Sequence, residues 1–316
     1  MKFKKILLFG YQTKDLDKSI WSRIDKLCEK KIILPKDSPD LNKNLPETDC
    51  LLVNQGMAVD KTMMDLTPEL KFVGILATGY NKIDIGYAKK KEIAVCNVPG
   101  YAKESVAEFV FGAAIEQLRE LERAKFQARN GDYSELSFNG TEIKDKKFAV
   151  VGLGRIGSRV AEIAKLGFQA DAIYWSRNRK KEVEKLGVKY TLLKSLLSEA
   201  DIISLHLAFA PETTEILNKK TIGLIKPGAI LINFAPMELI NLKALVKRLK
   251  KADIIFVFDH SDEITPEQIK MLKPYKNCIF YPPIGFRTKE AAVLKQEIFV
   301  GNLENFLKGK PTNKVN

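Results

Sequence analysis

The chain has 316 residues, about twice the usual single-domain length, so two domains sharing one enzyme-sized body is the natural prior. With 45% hydrophobic and 29% charged residues it has ample material for a core, which excludes intrinsic disorder, collagen-like repeats and small disulfide scaffolds. The net charge of +13 comes mainly from lysines scattered among acids, as in Lys180-Lys181-Glu182-Val183-Glu184-Lys185, without interleaved aromatics or a reading helix; it predicts a solvated surface and no nucleic-acid partner.

The basic start Met1-Lys2-Phe3-Lys4-Lys5 followed by Ile6-Leu7-Leu8-Phe9 has the outline of a secretion signal. The apolar run breaks at Gly10 without a cleavage-type segment, so it is read as a buried first strand. Short apolar runs rich in isoleucine and valine then recur at 5–9, 31–34, 50–54, 72–77 and 93–98. The amphipathic stretches between them, such as 16–30 and 83–92, have the length of crossover helices, the signature of a parallel α/β fold. A boundary near Pro99-Gly100 reads as a hinge, since no low-complexity linker surrounds it.

A helix is expected over 105–130, with apolar positions Val106, Phe109, Val110, Ala113, Ile115, Leu118 and Leu121. It is unusually long for this chain, and a homodimer contact is expected there, against the alternative of burial within its own subunit. After a turn-rich segment at 131–140, a second series of strands is expected at 148–151, 172–175, 202–207, 229–234, 254–258 and 278–281. Two doubly wound parallel sheets therefore follow one another. The lysine-rich tail from Lys308 is expected to fray. No apolar stretch approaches the roughly 18 residues of a membrane helix. The cysteines Cys28, Cys50, Cys96 and Cys278 lie far apart, which fits a reducing cytoplasm and no metal site.

Gly152-Leu153-Gly154-Arg155-Ile156-Gly157 follows a strand and opens a helical pattern, the context in which three glycines at this spacing mark a dinucleotide-binding turn of the Rossmann type. An NAD-preferring site normally places an acid at the end of the second strand, about 20 residues on. Here Ser176, Arg177 and Arg179 stand there, and Asp171 is too early. A hydroxyl and two guanidinium groups suit an additional phosphate. Arginine is scarce, ten residues against 42 lysines, so two within three positions favour NADP(H) over NAD(H).

With Ala77-Thr78-Gly79-Tyr80-Asn81-Lys82-Ile83-Asp84, Asn97-Val98-Pro99-Gly100-Tyr101, Ser105-Val106-Ala107-Glu108, the glycine loop, Ser204-Leu205-His206 with Pro211-Glu212-Thr213, and Lys226-Pro227-Gly228-Ala229-Ile230-Leu231-Ile232-Asn233, most of the chain resembles the D-isomer-specific 2-hydroxyacid dehydrogenases, the group of glycerate, glyoxylate and hydroxypyruvate reductases. The resemblance implies a Rossmann cofactor domain over 100–286 and a flavodoxin-like substrate domain made from 1–99 and 287–316. It implies that His206, Leu207, Ala208, Thr213, Phe234 and Ala235 line the cofactor and that Asp259 holds the nicotinamide amide. Amides around Thr78, Gly79 and Tyr80 would receive a small carboxylate or carbonyl ligand, with Gln55 and Gly56 lining the pocket.

The catalytic set departs from that pattern. The family's arginine falls on Pro236 and its histidine on Pro283, within Tyr281-Pro282-Pro283-Ile284-Gly285. Its glutamate falls on Ile264, or with a local gap on Glu263. Proline neither ionises nor donates a hydrogen bond. The expectation is a dinucleotide-binding homologue that has lost standard hydride transfer and serves as a sensor, regulator or partner. The alternative is an NADP-dependent oxidoreductase of a 2-keto acid, 2-hydroxy acid or other carbonyl compound with a non-standard acid–base set, whose candidates are His260 and Glu263. If the strand at 254–258 continued, alternation would turn His260 away from the face of Asp259. Arg287 is unassigned.

Overall fold

The computed structural model describes every residue except Ser261 and Asp262. The chain forms two compact units, Met1–Tyr101 with Thr288–Asn316, and Ala102–Arg287.

The first unit holds β1 (Phe3–Phe9), β2 (Cys28–Leu34), β3 (Cys50–Val53), β4 (Phe72–Ile75) and β5 (Ala94–Cys96), all parallel, in the order β2-β1-β3-β4-β5. Alternation along each strand explains why the apolar runs are continuous. Ile6, Leu8 and Leu52 feed one core, with Phe72 and the Phe299 and Leu303 side chains of helix Lys289–Leu307. Leu7, Phe9, Leu51 and Val53 feed the core on the opposite face.

The expected fraying of the tail is corrected. Val315 donates to the Val95 carbonyl at 2.9 Å, and Asn97 donates to the Asn313 carbonyl at 3.2 Å. The Asn316 side chain bonds both the Val95 amide and the Ile93 carbonyl. The tail therefore covers the β5 edge, which would otherwise present unpaired backbone groups. The helix expected at 16–30 is shorter, Lys18–Lys26, because β2 begins at Cys28.

The second unit holds β6 (Lys147–Val151), β7 (Asp171–Trp175), β8 (Lys189–Tyr190), β9 (Ile202–Leu205), β10 (Ile230–Asn233), β11 (Ile255–Phe258) and β12 (Cys278–Phe280). Their order is β12-β11-β10-β9-β6-β7-β8, all parallel. The order reverses between β6 and β9, the switch point at which such sheets open a crevice at their carboxyl edge. The two-residue β8 escaped the sequence reading, since Lys189-Tyr190 carries no apolar run.

The single helix expected over 105–130 is also corrected. Helix Lys103–Arg119 ends where Glu120 takes a left-handed conformation (φ 50°), and a second helix, Leu121–Arg129, follows. The first buries Val106, Ala107, Val110, Phe111 and Ala113 in its own unit, while the second buries nothing. Among the described residues no helix is long and apolar enough to cross a membrane.

Candidate functional site

At the switch point β6 runs into Gly152, whose amide donates to the Trp175 carbonyl at 2.7 Å. Its φ of +98° lies in a region that favours glycine, and a Cβ there would sit 2.8 Å from the His206 carbonyl oxygen. At Gly157 a Cβ would come within 2.0 Å of the Gly152 carbonyl oxygen, so the first turn of helix Arg155–Glu162 packs directly on the strand end. Around Gly154 a Cβ would meet nothing within 4 Å. Gly154 is also the N-cap and offers no side-chain cap, and the first amides of a helix have no intrahelical acceptor and form its positive end. A cradle closed at two glycines and open at the third fits a pyrophosphate.

His206 extends the β9 ladder, its amide donating to the Val151 carbonyl at 2.8 Å. Its Nε2 lies 2.8 Å from Ser204 Oγ, and burial pushes its pKa down to about 3, so it is neutral and serves as a wall of the loop. Leu207 also lies against Gly152. Thr213 Oγ1 donates to the Ala208 carbonyl at 2.9 Å and accepts from the Ala210 amide at 2.8 Å, folding the next loop back over the edge.

The loop after β7 carries Ser176, Arg177 and Arg179. Ser176 Oγ donates to the Asn178 carbonyl at 2.5 Å. Arg177 is exposed. Arg179, read from sequence as a phosphate partner, already makes a fork with Glu184, with Nε to Oε1 at 2.9 Å and Nη2 to Oε2 at 2.7 Å. Sequence reasoning missed Glu184; the signal was an acid five residues after the diagnostic arginine.

Asp259, Phe234 and Gly285 follow β11, β10 and β12 at the same edge. Asp259 Oδ2 accepts from the Gly285 amide at 3.1 Å. The Phe234 ring stacks on Phe109 with centroids 4.9 Å apart, and the Ala235 amide donates to Asn233 Oδ1 at 3.2 Å. Pro236 opens the turn Met237–Leu239, Pro283 lies in the loop after β12, and Ile264 is buried in the core.

The alternation argument about His260 is corrected because β11 ends at Phe258. The chain bends at Asp259, and His260 Nε2 comes to 3.5 Å from Asp259 Oδ1 while Nδ1 stands 3.5 Å from Glu263 Oε1. Burial opposes the charged ring, but the Glu263 hydrogen bond, both carboxylate charges and the Phe234 carbonyl outweigh it and raise the pKa to about 9. Glu263 is lowered in turn, first by its bond to His260. Asp262 lies outside the described residues.

In the first unit, Gln55 and Gly56 follow β3 while Thr78, Gly79 and Tyr80 follow β4, its neighbour. Asn54 Oδ1 accepts from the Gln55 amide at 2.8 Å and Lys82 Nζ donates to the Gly56 carbonyl at 3.2 Å. Thr78 Oγ1 donates to the Val98 carbonyl at 2.9 Å, and the buried Asn97 side chain donates to the Thr78 carbonyl at 2.7 Å. Asn97, the first residue of the Asn97-Val98-Pro99-Gly100-Tyr101 motif, is thus a support of this loop. Among the described residues no group of three His, Cys, Asp or Glu is placed to hold a metal.

Residues 111–285 match the model of the D-isomer specific 2-hydroxyacid dehydrogenase, NAD binding domain. A glyoxylate reductase of Thermococcus litoralis is 35% identical over 89% of this chain and 88% of its own. The chain belongs to the D-isomer-specific 2-hydroxyacid dehydrogenase family. A hydroxypyruvate reductase of Blautia hydrogenotrophica is 32% identical over 99% of both chains. Among solved structures, an acyclic imino acid reductase in complex with NADPH and D-Arg superposes with a TM-score of 0.84 at 28% identity, over 98% of this chain and all of that one. Nicotinamide dinucleotide binding follows from the family and suits the glycine cradle.

Two glycine replacements separate fold from ligand. Gly157→Ala drives a methyl into the Gly152 carbonyl and is expected to cost about 2 kcal/mol or more of stability. Gly154→Ala should cost under about 1 kcal/mol yet weaken NADPH at least about tenfold. Urea unfolding and calorimetric titration check both, and the reverse order of effects contradicts this account of the loop.

Proposed function

We propose that the chain is a nicotinamide-dinucleotide-dependent oxidoreductase of a small 2-keto acid, 2-hydroxy acid or related carbonyl compound, in which His260 and Glu263 replace the family's histidine–glutamate pair. One observation carries the reading: an imidazole at the carboxyl edge of the cofactor sheet, 3.5 Å from carboxylates on both sides, with its pKa raised to about 9. The names of the relatives, glyoxylate and hydroxypyruvate reductase, support an active reductase over a catalytically silent sensor.

On this reading Gly152, Gly154, Arg155, Ile156 and Gly157 hold the pyrophosphate, Asp259 the nicotinamide amide, and His206, Leu207, Ala208, Thr213, Phe234 and Ala235 the walls. Ser176, Arg177 and Arg179 receive an adenosine 2′-phosphate, so that NADP(H) is preferred to NAD(H). When bound, the nicotinamide supplies or accepts the hydride. Thr78, Gly79 and Tyr80 receive the carboxylate, beside Gln55 and Gly56. His260 carries a proton at neutral pH and delivers it to the developing alkoxide in the direction of reduction. Glu263 keeps the imidazolium charged, the role the resemblance assigns to a glutamate nearby.

Purified protein with NADPH and glyoxylate, hydroxypyruvate or pyruvate tests the proposal. Reduction should hold level below about pH 8 and decline as pH rises through about 9, where His260 loses its proton. His260→Gln should lower kcat by about 10²–10⁴-fold and abolish that decline, without changing the NADPH Kd. Absence of turnover with every 2-keto acid, or a fully active His260→Gln, contradicts it.

The same reading includes a homodimer. Phe126, Tyr133 and Leu136 are 72%, 80% and 86% exposed, an apolar cost that a second copy would remove. Sedimentation at micromolar concentration should give twice the chain mass, falling toward one with Phe126→Glu and Leu136→Glu together; a monomeric wild type contradicts the assembly.

A further inference from the structure

The fork between Arg179 and Glu184 bears on cofactor choice, on the reading that Arg179 meets an adenosine 2′-phosphate. Glu184 closes the short helix Lys181–Glu184 after the loop that carries Arg179. Its carboxylate is held from two sides. Arg179 binds both oxygens, at 2.9 and 2.7 Å. The phenol of Tyr174, a side chain buried in the core, donates to Oε1 at 2.6 Å. That phenol oxygen also accepts from the Lys180 amide at 2.8 Å, which ties the carboxylate to the backbone of the loop. On its other flank the Arg179 guanidinium lies 5.3 Å from the centre of the Tyr190 ring. Glu184 therefore cannot swing aside without abandoning its bond to a buried phenol. It also stays ionised at any physiological pH, since the Arg179 and Tyr174 bonds hold its pKa near 2.

A guanidinium offers one bidentate edge to one anion at a time in this geometry. We propose that Glu184 is a specificity-determining residue that competes with the adenosine 2′-phosphate for Arg179, so that the preference for NADP(H) over NAD(H) is set by which anion takes the fork. Arg177, exposed on the same loop, makes no hydrogen bond or ion pair among the described residues, and it receives the phosphate without such competition. Removing the Glu184 charge should raise the preference for NADP(H); NAD(H), which has a ribose hydroxyl in place of that phosphate, should be indifferent.

Glu184→Gln keeps an oxygen for the Tyr174 phenol and removes the competing charge. Calorimetric titration of the full-length protein with NADPH and with NADH should show the variant binding NADPH about fivefold more tightly, the scale of an exposed ion pair, with NADH changed by less than about twofold. In an Arg179→Ala background the gain should shrink to within about twofold, because the guanidinium for which the two anions compete is then absent. An unchanged or weakened NADPH affinity in Glu184→Gln overturns the proposal, as does a gain that persists undiminished without Arg179. Arg179→Ala alone separates the two layers. If it leaves NADPH binding intact, the 2′-phosphate reading of Arg179 has failed. If it weakens NADPH while Glu184→Gln brings no gain, only the competition has failed.

Discussion

The cofactor unit is organised by one close approach, the first turn of helix Arg155–Glu162 against the carbonyl of Gly152. A side chain at Gly157 would overlap that oxygen, and one at Gly152 would strike the His206 carbonyl, so strand, turn and helix are held together by the absence of two Cβ atoms. The same packing sets the uncapped N-terminus of that helix at the point where the sheet order reverses. The other functional candidates of this unit stand on the ends of neighbouring strands at that edge. They inherit their positions from the register of a seven-stranded parallel sheet.

Electrostatics then sets the two histidines apart. His206 is desolvated without a carboxylate to offset it, so it remains neutral and acts as a wall. His260 is also partly buried, but two carboxylates and a backbone carbonyl favour its proton. The difference is set by the chain geometry after β11. Gly285, with no side chain, lets its amide approach Asp259 Oδ2. The chain turns there, and His260 is brought back beside the aspartate.

The fold was largely legible because apolar runs alternate with amphipathic stretches and because three glycines sit between strand and helix patterns. What the sequence concealed depends on partners distant along the chain or on a single backbone turn. The tail was read as frayed from its polarity, yet the β5 edge supplies the backbone partners it needs. The break at Glu120 falls inside an uninterrupted apolar periodicity, so no pattern marks it. Pro236 and Pro283 read, from sequence alone, as the loss of a clamp and of an acid. That reading could not weigh His260, whose orientation follows from where β11 stops. Glu184 was passed over as one acid in a charged surface run, since its bond to Tyr174 appears only once the strand and the short helix are side by side.

The most direct test of this account is a pH titration of the imidazole resonances by NMR, which the presence of only two histidines makes tractable. The account predicts one imidazolium that persists to about pH 9, assigned to His260 by its loss in His260→Gln and shifted downward in Glu263→Gln. The second ring, His206, should remain neutral down toward pH 3 or to acid unfolding. Two rings titrating together near the ordinary histidine value of about 6.5 would contradict it, because no carboxylate pair would then be holding a proton on His260 at the edge of the cofactor sheet.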